Sequence, residues 1–345
     1  MGVDVTRPPR RAQGIVATGR SARTDVRMLS TWFDVRGVKS SDSSRLFAIA
    51  QELQVKPPLL APKWVWKMAW ETFRVMLKAL HAFDPLSAWD NHFNLSVLWW
   101  KAIAGNTRGS KVADGGIAYD MLPALTRWIV GWPLCLLFPR LHHQNVAMRT
   151  SFLSRECDLV IRENMEKKLS TRMVVVGAGF DTRGFSTRGI ERVIEIDLPA
   201  VASLKQRMLH ERLFKRRPSL RQVHYTSIGV DLNQVEKFER LLEEAMASES
   251  GATNCHTIFV FEAVLAYLDE GVAERLLGAC RRVGSKHSDS ISLCLADRLP
   301  LSRGEDREAA ASLLAGLGFE LGAWMPKPGI ARHMASARGR GGGEE

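Results

Sequence analysis

No stretch of this 345-residue chain is apolar for long enough to cross a bilayer. The nearest candidate, residues 128–138, contains Pro133 and is bounded by Arg127 and Arg140, and it falls well short of the ~20 residues that a spanning helix needs. It reads as a buried helix or turn, with peripheral membrane contact left open. Cysteine is scarce: Cys135, Cys157, Cys255, Cys280 and Cys294 are scattered, odd in number and never paired as CxxC. That argues against a disulfide framework and a structural zinc site, and it fits a reducing, intracellular compartment. Nothing near the start has the continuous apolar run of a secretory signal. Acids are outnumbered, with 37 Asp and Glu against 48 Lys and Arg, for a net charge of +11. Such a field attracts nucleic acid and anionic membranes. The basic residues are nevertheless spread over the amino-terminal arm, residues 205–217 and the tail, with no dense run interleaved with aromatics, so no nucleic-acid partner is expected.

What is present divides into four parts. Residues 1–48 form a basic arm whose first forty residues hold seven Arg and one Lys against three Asp. This composition suits a transit sequence or a disordered arm, and Asp4 and Asp25 argue against a clean transit sequence. Residues 49–144 are helical in pattern and hold most of the chain's tryptophan, with Trp64, Trp66, Trp70, Phe73, Met76, Leu77 and Leu80 recurring at helical spacing. That stripe reads as accessory helices packed on a domain as its lid, with a membrane-interface stripe as the alternative.

Residues 145–334 change rhythm. Strand-like runs at 173–177, 192–196, 222–226, 257–261 and 290–296 are separated by helical stretches such as 200–214 and 235–247. A helix at 306–317 and a strand at 318–324 follow. Strands alternating with helices imply an α/β fold with a Rossmann-like, doubly wound, mostly parallel sheet. Its closing helix, Gly-Phe and strand resemble the ending of the seven-stranded methyltransferase sheet, which is the fold expected here, with an N-terminal helical extension. Residues 335–345, rich in Gly and Arg from Arg338, are expected to be a disordered tail.

The first strand runs into Gly177-Ala178-Gly179-Phe180-Asp181-Thr182-Arg183, and the second ends in Glu195-Ile196-Asp197. Glycines after a buried strand allow positive φ and close approach of a ligand, and an acid about twenty residues on is placed to accept hydrogen bonds from ribose hydroxyls. Together they favour a nucleoside. Thr182 stands where a dinucleotide fingerprint would place its third glycine. A carboxylate at Asp181 repels a pyrophosphate and attracts an ammonium group. These features favour S-adenosyl-L-methionine over a dinucleotide.

Four motifs in order, Met148-Arg149-Thr150-Ser151-Phe152, the glycine turn, Glu195-Ile196-Asp197-Leu198-Pro199 and Phe261-Glu262 through Tyr267-Leu268, resemble those of the leucine carboxyl methyltransferase family, a branch of the S-adenosylmethionine-dependent methyltransferases. The resemblance implies that Arg149 pairs with the cofactor carboxylate, and its alternative is a surface arginine. It also implies that Gly177, Ala178 and Gly179 pass under the methionine, with Asp181 and Arg183 beside them, and that Asp197 holds the ribose. Asp231 and Leu232 would meet the adenine, with a helix cap as the alternative for Asp231. Glu262 would take the cofactor ammonium. Tyr267 is expected to pack the next helix rather than border the acceptor.

The implied reaction is an in-line displacement on the methyl group. A carboxylate acceptor is already ionised at neutral pH and needs no strong base, so no catalytic residue or metal is assigned, and His142 and His143 are left out. The acceptor is a protein C-terminal carboxylate or a small-molecule carboxyl or hydroxyl. In one respect the chain departs from the family: about ten residues join the fifth strand to the helix at 306, where a longer insertion is usual. This keeps alive a catalytically weak or inactive nucleoside-binding module that acts through interactions, with membrane association through its tryptophan-rich helices as an option; a dinucleotide-dependent oxidoreductase is a more distant alternative.

Overall fold

The computed structural model describes residues 48–55, 92–106, 115–129, 142–248, 254–301, 307–326 and 333–339, with a few isolated positions between 64 and 75. The basic arm up to residue 47, most of the stretch 56–91 and residues 130–141 lie outside the described residues, and so does Cys135.

Seven strands form one sheet: β1 Ser170–Val176, β2 Arg192–Asp197, β3 His224–Gly229, β4 Cys255–Glu262, β5 Ser290–Asp297, β6 Phe319–Pro326 and β7 His333–Gly339. Their order is β3-β2-β1-β4-β5-β7-β6. The first five run parallel and β7 is antiparallel to both its neighbours. The sheet is therefore the doubly wound, mostly parallel one expected. The helices used below are α1 His92–Asn106, α2 Gly115–Met121, α3 His142–Glu166, α4 Pro199–Met208, α5 Val235–Ala247, α6 Val272–His287 and α7 Arg307–Gly316.

Residues of a strand alternate between faces, and both faces of this sheet are covered. Val174, Val176, Phe259, Phe261, Leu293 and Leu295 meet α5, α6 and α7 in one core. Met173, Val175, Ile258, Val260, Cys294 and Ala296 meet α3 and residues 49–55 in another. This is why the strands read as continuous apolar runs rather than alternating ones. A third cluster joins Leu95, Leu98, Trp99 and Ile103 of α1 to α2, to α4 and to Phe180 and Phe185 after the glycine turn. The N-terminal helices α1 and α2 thus pack directly against the glycine turn.

Several expectations are corrected. The tail is ordered as far as Gly339: β7 fills the gap between β5 and β6, and Met334, Ala335 and Ala337 are core residues. Its glycine and arginine content hid a strand held by β5, by β6 and by α3, through Ser336–Glu156 and Arg338–Glu163. The third strand begins at His224, not residue 222, because Pro218–Gln222 winds into a 3-10 turn. Of the stripe from Trp64 to Leu80, Trp64 is exposed and Trp66, Trp70, Phe73, Met76, Leu77 and Leu80 lie outside the described residues; further along, Trp99 and Trp100 are buried. Among the described residues no helix is long and apolar enough to cross a membrane.

Candidate active site

Five parallel strands end along one edge at Val176, Asp197, Gly229, Glu262 and Asp297. The strand order reverses between β1 and β4, and a crevice for a ligand forms at such a reversal in open α/β sheets. The glycine turn lies there. Gly177 and Gly179 have φ of +68° and +46°, a region costly for residues with a Cβ. The Gly177 and Ala178 amides both donate to the carbonyl of Ile196, at 2.8 and 3.1 Å, which ties the turn to β2. A Cβ at Gly177 would sit 2.4 Å from Val264, and one at Gly179 would sit 2.8 Å from Asn94 Oδ1. Val264 and α1 thus stand close over the turn.

Asp197, at the end of β2, faces the same turn. Its two oxygens accept from the amides of Gly179 (2.6 Å) and Leu198 (2.7 Å), which leaves a lone pair on each for a further donor. Burial pushes the Asp197 carboxyl above its usual value, although these amides and Lys205 pull it back.

Beneath the turn is a buried ion cluster. Glu262 is bonded by Lys101 Nζ (3.2 Å), Arg149 Nη2 (3.3 Å) and Arg183 Nη2 (2.9 Å). Asp181 is bonded by Lys101 Nζ (3.0 Å) and Arg183 Nη1 (2.7 Å). Burial would raise both carboxyls, but the cations outweigh it, holding Glu262 at about 2 and Asp181 well below its ordinary value. Behind them Lys205 pairs with Glu195 at 2.6 Å and donates to the carbonyl of Asp181. Burial raises the Glu195 carboxyl, while Lys205 and the Tyr225 hydroxyl at 2.9 Å work against that rise.

Arg149 is 3% exposed, which removes the surface-arginine alternative, and its Nε is a buried donor with no hydrogen-bond partner. The Asp181 carboxylate accepts from Lys101 and Arg183, as Glu262 does from Lys101, Arg149 and Arg183. Asp231 and Leu232 follow β3. Asp231 accepts from the Asn233 amide at 3.0 Å, while Gln234 is the residue preceding α5 and makes no side-chain cap. The helix-cap alternative for Asp231 therefore fails, because its carboxylate closes a local turn instead. Tyr267 lies half-buried on the 3-10 turn Leu265–Tyr267, and the side chains of His142 and His143 lie outside the described residues. The connection from Asp297 to Arg307 is as short as expected.

Sequence reasoning missed Lys101, Lys205 and Asp297. One signal for Lys101 was present: a single lysine in the apolar run Val97-Leu98-Trp99-Trp100-Lys101-Ala102-Ile103, where a buried cation requires an anion. Among the described residues no group of His, Cys, Asp and Glu could hold a metal ion.

Comparison with curated protein sequences yields no significant match. Among solved structures, a magnesium protoporphyrin IX methyltransferase from Synechocystis PCC 6803, with S-adenosylmethionine bound, is 11% identical. That match covers 56% of this chain and 83% of that one at a TM-score of 0.36. An amino pentose methyltransferase from Micromonospora echinaspora is 15% identical over 54% and 90% at 0.34. Overlaps at scores this low add nothing to what the sheet order establishes. The family model for leucine carboxyl methyltransferases matches residues 95–280, more than half of the chain and the whole of the cluster just described, and the chain belongs to that family of methyltransferases.

Proposed function

We propose that the chain is an S-adenosyl-L-methionine-dependent O-methyltransferase acting on a carboxylate or hydroxyl, of a protein terminus or of a small molecule. The carrying observation is the charge arrangement at the glycine turn. Lys101, Arg149 and Arg183 converge on Asp181 and Glu262, and Arg149 keeps a buried Nε with no hydrogen-bond partner. A buried guanidinium N–H left without a partner calls for an acceptor, and the amino acid end of the cofactor bears a carboxylate. The residues present therefore fit the cofactor. When bound, it supplies an electrophilic methyl group on a cationic sulfur.

The chain's own residues do the rest. Arg149 and Lys101 bind the carboxylate end, with guanidinium suited to a two-point contact. Glu262 receives the ammonium group, and the glycine turn admits close approach of the ligand to backbone. Asp197 accepts from the ribose hydroxyls through its free lone pairs, and Asp231 and Leu232 border the adenine. An ionised carboxylate acceptor needs no base, so rate comes from alignment and exclusion of water, to which α1 contributes by covering the turn.

Two measurements test this reading. Calorimetry compares S-adenosylmethionine with nicotinamide dinucleotides, and preference for a dinucleotide refutes the reading. Labelled-methyl transfer to a cell extract, separated into protein and small-molecule fractions, then identifies the acceptor class. In the binding assay Asp197→Ala is expected to weaken cofactor affinity by about 1–3 kcal/mol, the cost of leaving buried partners unpaired; unchanged affinity removes Asp197 from the site.

A further inference from the structure

Asp297 ends β5 beside Glu262 and is 1% exposed. Its Oδ2 accepts from the amides of Val264 (2.5 Å) and Leu265 (2.8 Å), and its Oδ1 from those of Ala266 (3.3 Å) and Arg298 (2.7 Å). No cation is among these partners; among the described residues backbone dipoles compensate the buried charge. An ion held this way fixes the backbone that holds it.

Three of the four amides belong to the segment that leaves β4. That segment begins at Ala263, whose φ of +56° lies in the left-handed region, and the Ala263 amide bonds the Ala296 carbonyl at 3.1 Å. A residue with a Cβ keeps such a conformation only where its surroundings over-determine it. On one side of Ala263 is Glu262, in the ion cluster, and on the other is Val264, pressed on the glycine turn.

We infer that Asp297 is a positioning residue: by gathering the amides of residues 264–266 it holds Ala263 left-handed and so aims Glu262 and Val264 at the cofactor. The inference rests on the proposed function and names the residue that prepares its site. Asp297 touches neither cofactor nor acceptor and acts through the backbone at position 263.

This mode of action predicts a rescue. Each oxygen of Asp297 serves two amides, so in Asp297→Asn the new NH2 group must face two donors, and the segment is released. Glycine adopts the left-handed region without penalty, so Ala263→Gly restores the required conformation by another route. The experiment is calorimetric titration of the full chain with S-adenosylmethionine and S-adenosylhomocysteine, with melting temperatures recorded for every variant.

D297N is expected to weaken both ligands at least tenfold while still melting cooperatively, and A263G alone to bind within about twofold of wild type. The pair A263G/D297N is expected to regain several-fold in affinity over D297N without regaining its melting temperature. D297S, which keeps one acceptor, reads the same quantity in a milder variant and is expected to fall between. The inference is overturned if D297N or D297S melts lower but binds as wild type, or if A263G gives no rescue. Wild-type protein that binds neither ligand overturns the proposed function and this inference with it, and that result is read before any variant.

Discussion

Replacing Glu262 by Gln keeps the side chain's shape and removes its charge, taking from Lys101, Arg149 and Arg183 the carboxylate that all three bond. The cost follows from the carboxyl itself. Burial raises it, the three cations more than reverse this, and it is held at about 2 against an ordinary 4.5. That difference corresponds to ~3 kcal/mol at neutral pH. Removing one member of a buried ion pair costs about 3–5 kcal/mol by a separate route, so the two figures agree. The sign is that of a depressed carboxyl: its contribution is complete above pH 4.5 and is lost as pH falls through about 2. Urea denaturation of wild type and Glu262→Gln is thus expected to show a gap of ~3 kcal/mol, constant from pH 8 to pH 5 and narrowing below 4.5. The melting temperature at pH 7 is expected to fall by roughly 6 to 12 °C. A gap under about 1 kcal/mol at pH 7, or one that does not narrow in acid, would mean that the cluster is not a coupled buried network and would refute the reasoning.

Gly177→Ala forces a Cβ both into a positive φ and to within 2.4 Å of Val264, and a loss of about 1–3 kcal/mol in stability is expected. Adding Val264→Ala removes the Cγ2 contact but leaves the Val264 Cβ at 2.6 Å, so it is expected to recover only part of the steric cost and none of the conformational part, and full recovery would show that the left-handed backbone costs nothing. Truncation after residue 332 removes β7 and with it Met334, Ala335 and Ala337 of the cores; cooperative thermal unfolding is expected to disappear, and a truncated chain that melts as wild type would show β7 to be dispensable. His256, buried between Ser290 and Ser292, is held at about 4 by burial and by Arg338 and Lys167. Stability is therefore complete above pH 6.5 and declines by about 3 kcal/mol as pH falls to 4. His256→Gln is expected to flatten that decline, measured by urea denaturation across the same window, and an unchanged slope would assign it to other groups.

Much of the fold was legible in the chain because its signals are local. Apolar runs of strand length predicted β1, β2, β4 and β5 to within a few residues, and the span 235–247 was read as the helix it is. Position 177 announced itself through backbone freedom, and Asp197 through its place at a strand end. Other residues were silent for physical reasons. Lys101 is 80 residues from Asp181 and 161 from Glu262, and Asp297 acts on amides more than thirty residues away, so no periodicity or spacing could link them. β7 was misread because its composition resembles a flexible tail, and strand pairing rather than propensity makes it a strand.

By itself the sequence determined the parallel sheet, the glycine turn at its edge and the acid that faces it, because each depends on the φ, ψ and burial preferences of neighbouring residues. Only the tertiary structure decided that Arg149 is buried, that Asp181 is a counter-ion for Lys101 and Arg183, and that Asp297 holds the loop bearing Val264. Those outcomes depend on which charges and amides packing brings within 2.5 to 3.3 Å of one another, and a linear chain does not carry that information in its local pattern.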